Sequence, residues 1–298
     1  MAGLLLEAGI AWWNCSLSPL GSERSTPEQT RFVVDTIHRL HSEINFSILG
    51  LGEVSEADVQ KIIGMLPYGF LYLLPEKASG SRLKFDTAIL YRPDVFDLIE
   101  SETLEGVHGE KTFRVAQLCA LQFRYGSHRI DFYAVHWSSR LQNPENSSFR
   151  DEYAIALRQR IKNRPKVYTV LFGDFNDEPF SGPVAQKLPS TRDKQLARSN
   201  EDFFYNPFWR FLGESDPTRL EGSGGGTYYF KRGFNTRWFT FDQMIFSSTM
   251  VQNAICRLVD ESVSVWREKE LVEAVIDGKR QFDHLPIYSA IEMEFIHD

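Results

Sequence analysis

The sequence has few cysteines, no long apolar run and no excess of positive charge, and each shortage argues against a class of protein. Its three cysteines, Cys15, Cys119 and Cys256, are an odd number scattered through strand-like contexts. This pattern favours reduced core residues over a disulfide framework. No apolar run is long enough to span a bilayer and no repeat has a solenoid period, so membrane-spanning and array architectures are disfavoured.

The charge balance and the N-terminus narrow the class further. A net charge of −7 argues against tight, sequence-independent binding of a nucleic-acid polymer over the whole surface. No basic or apolar element suited to docking on a membrane is present. The N-terminal leucine run at 4–6 is interrupted by Glu7 and follows no cationic segment, so it predicts a core strand rather than a signal peptide. We therefore expect a cytoplasmic protein without a membrane partner.

The most informative stretch is Gly173-Asp174-Phe175-Asn176, which follows the apolar and β-branched run 167–172. Such a run predicts a buried strand, so a carboxylate and an amide stand where the backbone leaves the sheet. A capped turn is the plain alternative. Other strand-like segments, however, also meet polar residues able to bind a metal or phosphate. These residues are Asn14, Glu53, His136, Asp242 within the run 238–246, and the pair Asp283-His284.

This ordered set resembles the endonuclease/exonuclease/phosphatase superfamily, which includes deoxyribonucleases, abasic-site endonucleases, deadenylases, neutral sphingomyelinases and inositol polyphosphate phosphatases. The resemblance runs from Asn14 to about Ile296. It is carried most specifically by Gly173-Asp174-Phe175-Asn176, Asp283-His284-Leu285-Pro286 and Phe241-Asp242-Gln243. It implies an α/β (α+β) fold, a four-layer sandwich of two mixed β-sheets packed face to face with helices on the outside. Because the motifs extend almost end to end, we expect one catalytic domain over residues 1–298.

The resemblance also implies a divalent cation, Mg²⁺ or Mn²⁺. Its ligands would be Asn14, Glu53 and Asp283, oxygen donors of the kind that hard cations prefer. Such a cation polarises and orients a phosphate ester for hydrolysis. Asp283 would either bind the ion or support its ligands, and which carboxylates bind directly, and whether one ion or two are used, is left open.

The same resemblance implies a role for five catalytic residues. Asp174 would activate the attacking water, and Asn176 would hold a nonbridging phosphoryl oxygen. His284, oriented by Asp242, would donate a hydrogen bond as negative charge concentrates on the phosphoryl group. His136 would be the second imidazole on that group.

Departures from the family pattern disfavour abasic-site repair. The sequences Asn14-Cys15-Ser16 and Val135-His136-Trp137-Ser138-Ser139 differ from those typical of abasic-site endonucleases. His136 is instead similar to the histidine of the deoxyribonuclease, sphingomyelinase and phosphatase branches. In deoxyribonucleases a glutamate supports this histidine, but the stretch 113–116 contains no carboxylate. The partner of His136 is therefore open.

Three helices are predicted from apolar spacing and capping signals. The first starts near Ser25, which has a capping-box spacing with Glu28. The second runs from Ser55 through Leu66. The third spans about 145–164 and places Arg158, Arg160, Lys162 and Arg164 in its last turns, where cations suit the helix dipole.

Aromatic and basic residues interleave in 203–209 and 227–238, the part of the chain most suited to choosing a substrate. We expect most of the aromatic side chains there to close the sandwich, and the alternative is that they stack on bases. The candidate substrate contacts are Lys231, Arg232, Arg237, Trp137, Arg140 and Arg92, the last at the end of a strand that also resembles the family.

The leading hypothesis is a Mg²⁺- or Mn²⁺-dependent phosphodiesterase acting on nucleic acid, most simply a DNA endonuclease. The net negative charge is compatible with this activity, since a carboxylate cluster is neutralised by its ions. The alternative is a phosphatase or phosphodiesterase acting on an inositol phosphate or a phospholipid. A non-catalytic binding module on the same fold is the third hypothesis.

Overall fold

A computed structural model of the protein describes residues 4–19, 24–67, 69–75, 86–126, 128–145, 147–213, 225–252, 255–278 and 281–295. Its strands are β1 (Leu4–Asn14), β2 (Phe46–Gly52), β3 (Leu71–Leu73), β4 (Thr87–Tyr91), β5 (Phe96–His108), β6 (Lys111–Phe123), β7 (Arg129–His136), β8 (Tyr168–Asp174), β9 (Ser190–Thr191), β10 (Phe204–Tyr205), β11 (Tyr228–Tyr229), β12 (Trp238–Phe239), β13 (Asp242–Ser247), β14 (Cys256–Val265) and β15 (Ile287–Phe295). Its α-helices are α1 (Pro27–Ile44), α2 (Glu56–Met65), α3 (Ser148–Lys162), α4 (Lys194–Ser199), α5 (Ser248–Val251) and α6 (Lys269–Asp277).

Most of the strands form two mixed sheets. Sheet A has the order β14-β15-β1-β2-β4-β3, and sheet B has the order β5-β6-β7-β8-β13-β10-β9, while β11 and β12 form a separate hairpin. In sheet A, β1 runs parallel to β2 and antiparallel to β15. In sheet B, β7 runs parallel to β8 and antiparallel to β6. The predicted pair of mixed sheets is confirmed.

The two sheets pack face to face over an apolar core. Trp12 of β1 meets Phe172 of β8 edge to face, with ring centroids 5.9 Å apart, and both side chains are fully buried. Helices α1 and α6 add apolar side chains to this core from the side of sheet A, whereas α3 packs on the other face of sheet B. The layers are therefore helices, sheet A, sheet B and helix, which confirms the predicted four-layer sandwich.

The three predicted helices are present with shifted boundaries. The N-cap of α1 is Thr26 rather than Ser25, and Thr26 forms its capping box with Gln29. Ser55 caps α2 as predicted, and α3 occupies the centre of the predicted 145–164 segment. The helix starts could be predicted from the sequence because a capping side chain satisfies backbone N–H groups that have no partner within the helix.

The three cysteines lie in the core of the fold. Cys15, Cys119 and Cys256 are buried and free, as predicted, and burial raises the pKa of the Cys15 thiol. None of the helices in the described part of the chain combines the length and the hydropathy that crossing a bilayer requires.

One edge of the sandwich collects the polar ends of the strands. His136 at the end of β7 lies in register with Asp174 at the end of the parallel strand β8. Asp174 in turn lies opposite Asp242, the first residue of the antiparallel strand β13. In sheet A, Asn14 lies in register with Gly52 at the end of β2. Because the sheets face each other, these ends meet at one place.

The run 238–246, expected to be one strand, is divided in the structure. Its first part is β12, which pairs with β11 outside the two large sheets, and only from Asp242 does the chain join sheet B. Between them the backbone N–H of Thr240 donates to the Glu178 carboxylate at 3.0 Å. The Phe241 carbonyl accepts from Phe175 N at 2.9 Å. These bonds to the loop after β8 fix the change of direction.

Candidate active site

The loops at this edge hold unusual backbone conformations. Ser16, Glu53 and Asn176 are left-handed, with φ of 49°, 54° and 51°. Such a conformation costs non-glycine residues about 1–3 kcal/mol and is found most often at functional sites. Gly173 is required by close approach, since a Cβ there would lie 2.0 Å from the Val135 carbonyl oxygen. The surrounding fold therefore imposes the local shape of the site.

The Oδ2 atom of Asp174 lies at the centre of the site. The Nε2 atoms of His284 and His136 are 3.7 Å and 3.8 Å from it, and the Asn14 side-chain nitrogen is 3.4 Å away. Burial raises the pKa of Asp174, although the nearby His284 lowers it. Two imidazoles thus face one buried carboxylate across gaps longer than a hydrogen bond.

Asn176 orients this carboxylate. Its backbone N–H donates to Asp174 Oδ1 at 2.8 Å, and its side-chain amide donates to Asp174 Oδ2 at 3.0 Å and to the Trp137 carbonyl at 2.9 Å. An amide group has two hydrogens, and both are used here. Both hydrogens of the Asn176 side-chain amide are therefore bonded within the protein. The family resemblance had instead implied that this side chain would hold a phosphoryl oxygen.

His284 is held from behind by Asp242. The His284 Nδ1 and Asp242 Oδ2 atoms are 2.7 Å apart, and Asp242 Oδ1 accepts from the Trp12 indole at 2.8 Å. Burial alone would lower the pKa of His284, but the charges of Asp242, Asp283 and Asp174 raise it well above its ordinary value. His284 is therefore a charged donor whose Nε2 points towards Asp174.

His136 has an equivalent partner, Asp86. The His136 Nδ1 and Asp86 Oδ1 atoms are 2.8 Å apart, and Arg114 donates to the same Oδ1 at 2.6 Å. Burial would lower the pKa of His136, but Asp86 and Asp174 raise it to about 9. The sequence analysis missed Asp86 because it sought a carboxylate near 113–116, where Arg114 lies instead. Asp86 immediately precedes β4, which runs antiparallel to β2, so the start of β4 returns to the edge where β2 ends.

Acidic and amide oxygens beside these imidazoles suit a hard divalent cation. Glu53 Oε1 lies 3.3 Å from the side-chain nitrogen of Asn14, and Asp283 accepts from the Ser16 hydroxyl at 3.0 Å. Burial raises the pKa of Glu53 and of Asp283, which disfavours the ionised form of each, although the Asp283 side chain is 43 % exposed. A divalent cation with oxygen ligands relieves that cost, so Asn14, Glu53 and Asp283 fit the metal implied by the resemblance.

A second grouping that could hold a metal consists of Asp174, Asp242 and His284, whose ligand atoms all lie within 4.8 Å of one another. Both Asp242 oxygens already accept hydrogen bonds, one from His284 and one from Trp12. Asp242 is therefore better explained as the support of His284 than as a metal ligand.

Arg150 of α3 supports the loop after β8 from below. Its side chain is 1 % exposed and pairs with Asp177 at 2.8 Å. It also donates to the Ser138, Asn143 and Asn176 carbonyls at 2.9, 3.0 and 2.8 Å. One buried guanidinium therefore joins the loops after β7 and β8 to a helix. Nothing in the sequence distinguished Arg150 from the other arginines of α3.

Four of the candidate substrate contacts lie near the site or on the adjoining hairpin. Arg140 lies 4.7 Å from the Phe241 ring centroid and donates to the Asn176 carbonyl at 3.2 Å. Lys231, Arg232 and Arg237 are exposed on the segment that joins β11 to β12.

Arg92 and Trp137 are not placed for substrate contact. Arg92 lies beyond the far end of β4, where its backbone N–H donates to the Ser47 carbonyl and its side chain pairs with Asp94. The Trp137 ring is fully buried and donates to the Val115 carbonyl at 3.1 Å. These two expectations are corrected: one side chain is at the opposite edge and the other is in the core.

Known proteins share this fold along its full length. The human nocturnin catalytic domain, solved with a bound sulfate anion, has a TM-score of 0.59 at 16% identity, over 97% of both chains. The mannosyl-6-phosphatase Bt3783 of Bacteroides thetaiotaomicron has a TM-score of 0.58 at 14% identity, over 95% of this chain and 99% of its own. TDP2 of D. rerio, complexed with a single-strand DNA product, has a TM-score of 0.57 at 16% identity, over 96% and 98%. No curated protein matches this chain.

The two-sheet fold and the carboxylate, amide and imidazole cluster at its edge are those of a phosphoesterase-type scaffold. The sequence model of the Endonuclease/Exonuclease/phosphatase family matches residues 22–287. The chain belongs to this family, whose members are phosphoric ester hydrolases.

Proposed function

We propose that the protein is a Mg²⁺- or Mn²⁺-dependent phosphodiesterase that hydrolyses nucleic acid, most simply a DNA endonuclease. The observation that carries this proposal is the convergence of two imidazoles on Asp174. The His136 and His284 Nε2 atoms lie within 3.8 Å of Asp174 Oδ2, and each Nδ1 is bonded to its own carboxylate. This arrangement suits a reaction that needs one base for water and two cationic donors for phosphoryl oxygens.

Each residue then has a defined task. Asp174, whose raised pKa makes it a better base than an exposed aspartate, takes the proton of the attacking water. His284 and His136 donate from Nε2 to the phosphoryl oxygens, where negative charge increases in the transition state. Asn176 keeps the Asp174 carboxylate in one orientation.

The metal would be held by Asn14, Glu53 and Asp283. A divalent cation held there would supply Lewis-acid polarisation of the phosphoryl group. The side chains of the protein contribute two further effects to the proposed reaction. Asp174 orients the water, and the two histidines stabilise the developing negative charge.

A diester in a nucleic acid is favoured over other esters on two grounds. One neighbour on this fold was solved with a single-strand DNA product. The hairpin beside the site also carries Lys231, Arg232 and Arg237, which suit a polyanion. The net charge of −7 does not oppose this proposal, because the acidic cluster belongs to the metal site.

A phosphatase acting on a small or lipid phosphate is the second candidate. It is favoured by the similarity in fold to a mannosyl-6-phosphatase, at nearly the same TM-score as the nucleic-acid-bound neighbour. An inositol phosphate or a phospholipid head group belongs to the same chemical class.

The test is incubation of the purified protein with supercoiled plasmid in Mg²⁺, Mn²⁺ or EDTA. We expect metal-dependent nicking that is lost in His284→Ala and Asp174→Asn and kept in His108→Ala, a matched change at an exposed histidine. Hydrolysis of bis(p-nitrophenyl) phosphate but not of the monoester would agree with a diesterase. Intact DNA and RNA with phosphate released from inositol phosphates would instead establish the second candidate. The absence of any metal-stimulated turnover would leave a binding module.

A further inference from the structure

The hairpin formed by β11 and β12 is built into the site at its base. We define residues 227–240 as the hairpin arm. The Leu285 N–H donates to the Thr227 carbonyl and the Tyr229 N–H donates to the Asp283 carbonyl, both at 2.7 Å. These bonds are made by the two residues that flank His284, Asp283 and Leu285. The centroid of the His284 ring lies 4.6 Å from that of the Tyr228 ring. The base of the arm is therefore hydrogen-bonded to the segment that carries the proposed catalytic imidazole.

The arm is a folded element up to its tip. The Phe230 N–H donates to the Arg237 carbonyl at 2.7 Å, and the Gly233 N–H closes a turn onto the Phe230 carbonyl at 2.9 Å. Gly233 is required there, because a Cβ would lie 1.9 Å from the Thr236 carbonyl oxygen. Residues at the tip are thus presented in a defined arrangement.

What the tip presents is unusual for a solvated turn. The Phe234 side chain is 100 % exposed and that of Phe230 is 38 % exposed. Between and beside them stand the exposed cations Lys231, Arg232 and Arg237. Residues 227–240 contain no aspartate or glutamate, and no ion pair joins these three cations to any residue of the ranges that the structure describes.

We infer that the hairpin arm is a binding site for single-stranded nucleic acid, which holds the strand beside the scissile phosphodiester. Phe234 stacks on an unpaired base, with Phe230 as a second apolar surface. Lys231, Arg232 and Arg237 meet the phosphates. This inference rests on the proposed function and specifies its substrate as a strand with accessible bases.

Two physical arguments select this occupant. An aromatic ring with both faces in water stacks on a nucleobase only where that base is not already stacked in a duplex, and cations in the same groove follow the backbone. The second argument is reach: Phe234 lies six positions along the chain from Tyr228, so the two are at most about 22 Å apart. The tip therefore contacts nucleotides that flank the cleaved bond, and the arm acts on substrate binding rather than on the bond itself.

The experiment measures binding and cleavage separately. Binding of a labelled oligothymidylate is followed by fluorescence anisotropy in Mg²⁺, with the full chain carrying Asp174→Asn to prevent cleavage. Phe234→Ala should weaken binding about 5- to 150-fold, the range found when a stacked aromatic is removed. The double change Lys231→Ala with Arg232→Ala should reduce the slope of log affinity against log salt by about 1.4.

Matched controls lie at the opposite end of the strands of sheet B, where β7 and β8 begin. Tyr125→Ala removes another exposed aromatic ring, and Lys162→Ala with Lys166→Ala removes the same number of exposed cations. Neither should change binding. In the active enzyme, Phe234→Ala should raise KM for the oligonucleotide by more than it changes kcat.

The outcomes separate this inference from the function on which it rests. If the wild-type protein cleaves DNA and Phe234→Ala binds and cleaves the single strand equally well, the role of the arm is refuted and the nuclease stands. Preference for duplex over single strand refutes it too. If Phe234→Ala loses binding to phosphatidylserine vesicles while its binding of the oligonucleotide is unchanged, the arm is a membrane contact instead. A protein that hydrolyses only monoesters would overturn both proposals.

Discussion

The Asp86 carboxylate lies 2.8 Å from Nδ1 of His136, and the two residues come from different sheets. Asp86 precedes β4 of sheet A, whereas His136 ends β7 of sheet B. Arg114 of β6 binds the same carboxylate oxygen. This buried contact joins the two sheets at the edge where the proposed catalytic groups meet, and the Asp86 charge raises the pKa of His136.

Replacing Asp86 should therefore impair catalysis more than folding. Asp86→Asn keeps the shape but removes the charge that raises the pKa of His136, so kcat should fall about 10²-fold, within the contribution of a positioned acid–base group. The measurement is steady-state hydrolysis of a diester in Mg²⁺. The matched control is Asp97→Asn, an exposed aspartate beside Arg124. An unchanged kcat in Asp86→Asn would show that His136 works without this partner.

The strand-end argument singled out Asp174, His136 and Asn14, and the family resemblance supplied Asp242 as the support of His284, but neither found the support of His136. Asp174, His136 and Asn14 directly end apolar strands, and that position is visible in the sequence. Asp86 was missed because it precedes its strand and serves a histidine fifty positions later. Only the antiparallel pairing of β4 with β2 brings it to the site, and pairing partners are not encoded in local spacing.

The fold followed from the family resemblance, while details that depend on tertiary contacts did not. An apolar, β-branched run predicted β8 and a capping signal predicted α2 correctly, because both signals are local. The split of the run 238–246 depends on backbone bonds to the loop after β8. Arg150 is equally dependent on context, since an arginine in an amphipathic helix is normally exposed.

Arg150 should be essential for stability. Arg150→Met removes the guanidinium that hydrogen-bonds to the buried Asp177 and to several carbonyl groups, leaving Asp177 with Arg140 at 3.7 Å, so the free energy of unfolding should decrease by about 3–5 kcal/mol. Adding Asp177→Asn should restore part of this loss. Urea denaturation measures both. Arg160→Met, at a half-exposed ion pair on the same helix, should cost at most about 1 kcal/mol, and an equal loss in the two arginine variants would contradict the prediction.

Glu53 should control the response to metal. A cation that binds only the native state raises its stability by about 2.7 kcal/mol at 100 times the dissociation constant, so Mg²⁺ should raise the melting temperature of the wild-type protein. Glu53→Gln should abolish most of this rise, because it removes the negative charge of a proposed metal ligand. Burial raises the pKa of this carboxyl. Differential scanning fluorimetry with Mg²⁺ and with EDTA measures the effect. Glu56→Gln, an exposed change three residues later, should respond like the wild type, and a full Mg²⁺ response in Glu53→Gln would exclude Glu53 as a ligand.

Glu178 should make the metal-free protein less stable as the pH rises. Burial raises the pKa of this carboxyl from 4.5 to about 7, against the opposing effect of the hydrogen bond from the Thr240 backbone. Between these two values the native state retains a proton that the unfolded state has lost, so the free energy of unfolding falls with increasing pH. The full loss, reached above pH 7, is at most about 3 kcal/mol.

Glu178→Gln isolates this effect, because the amide oxygen can still accept from Thr240 N but the side chain never ionises. In urea denaturation with EDTA, the variant should match the wild type near pH 4.5 and exceed it by up to about 3 kcal/mol at pH 8. Glu201→Gln, at an exposed ion pair with Lys166, should differ from the wild type by the same small amount at both pH values. A constant difference for Glu178→Gln would mean that this buried carboxylate is already ionised at the lower pH, stabilised by its bond to the segment that joins β12 to β13.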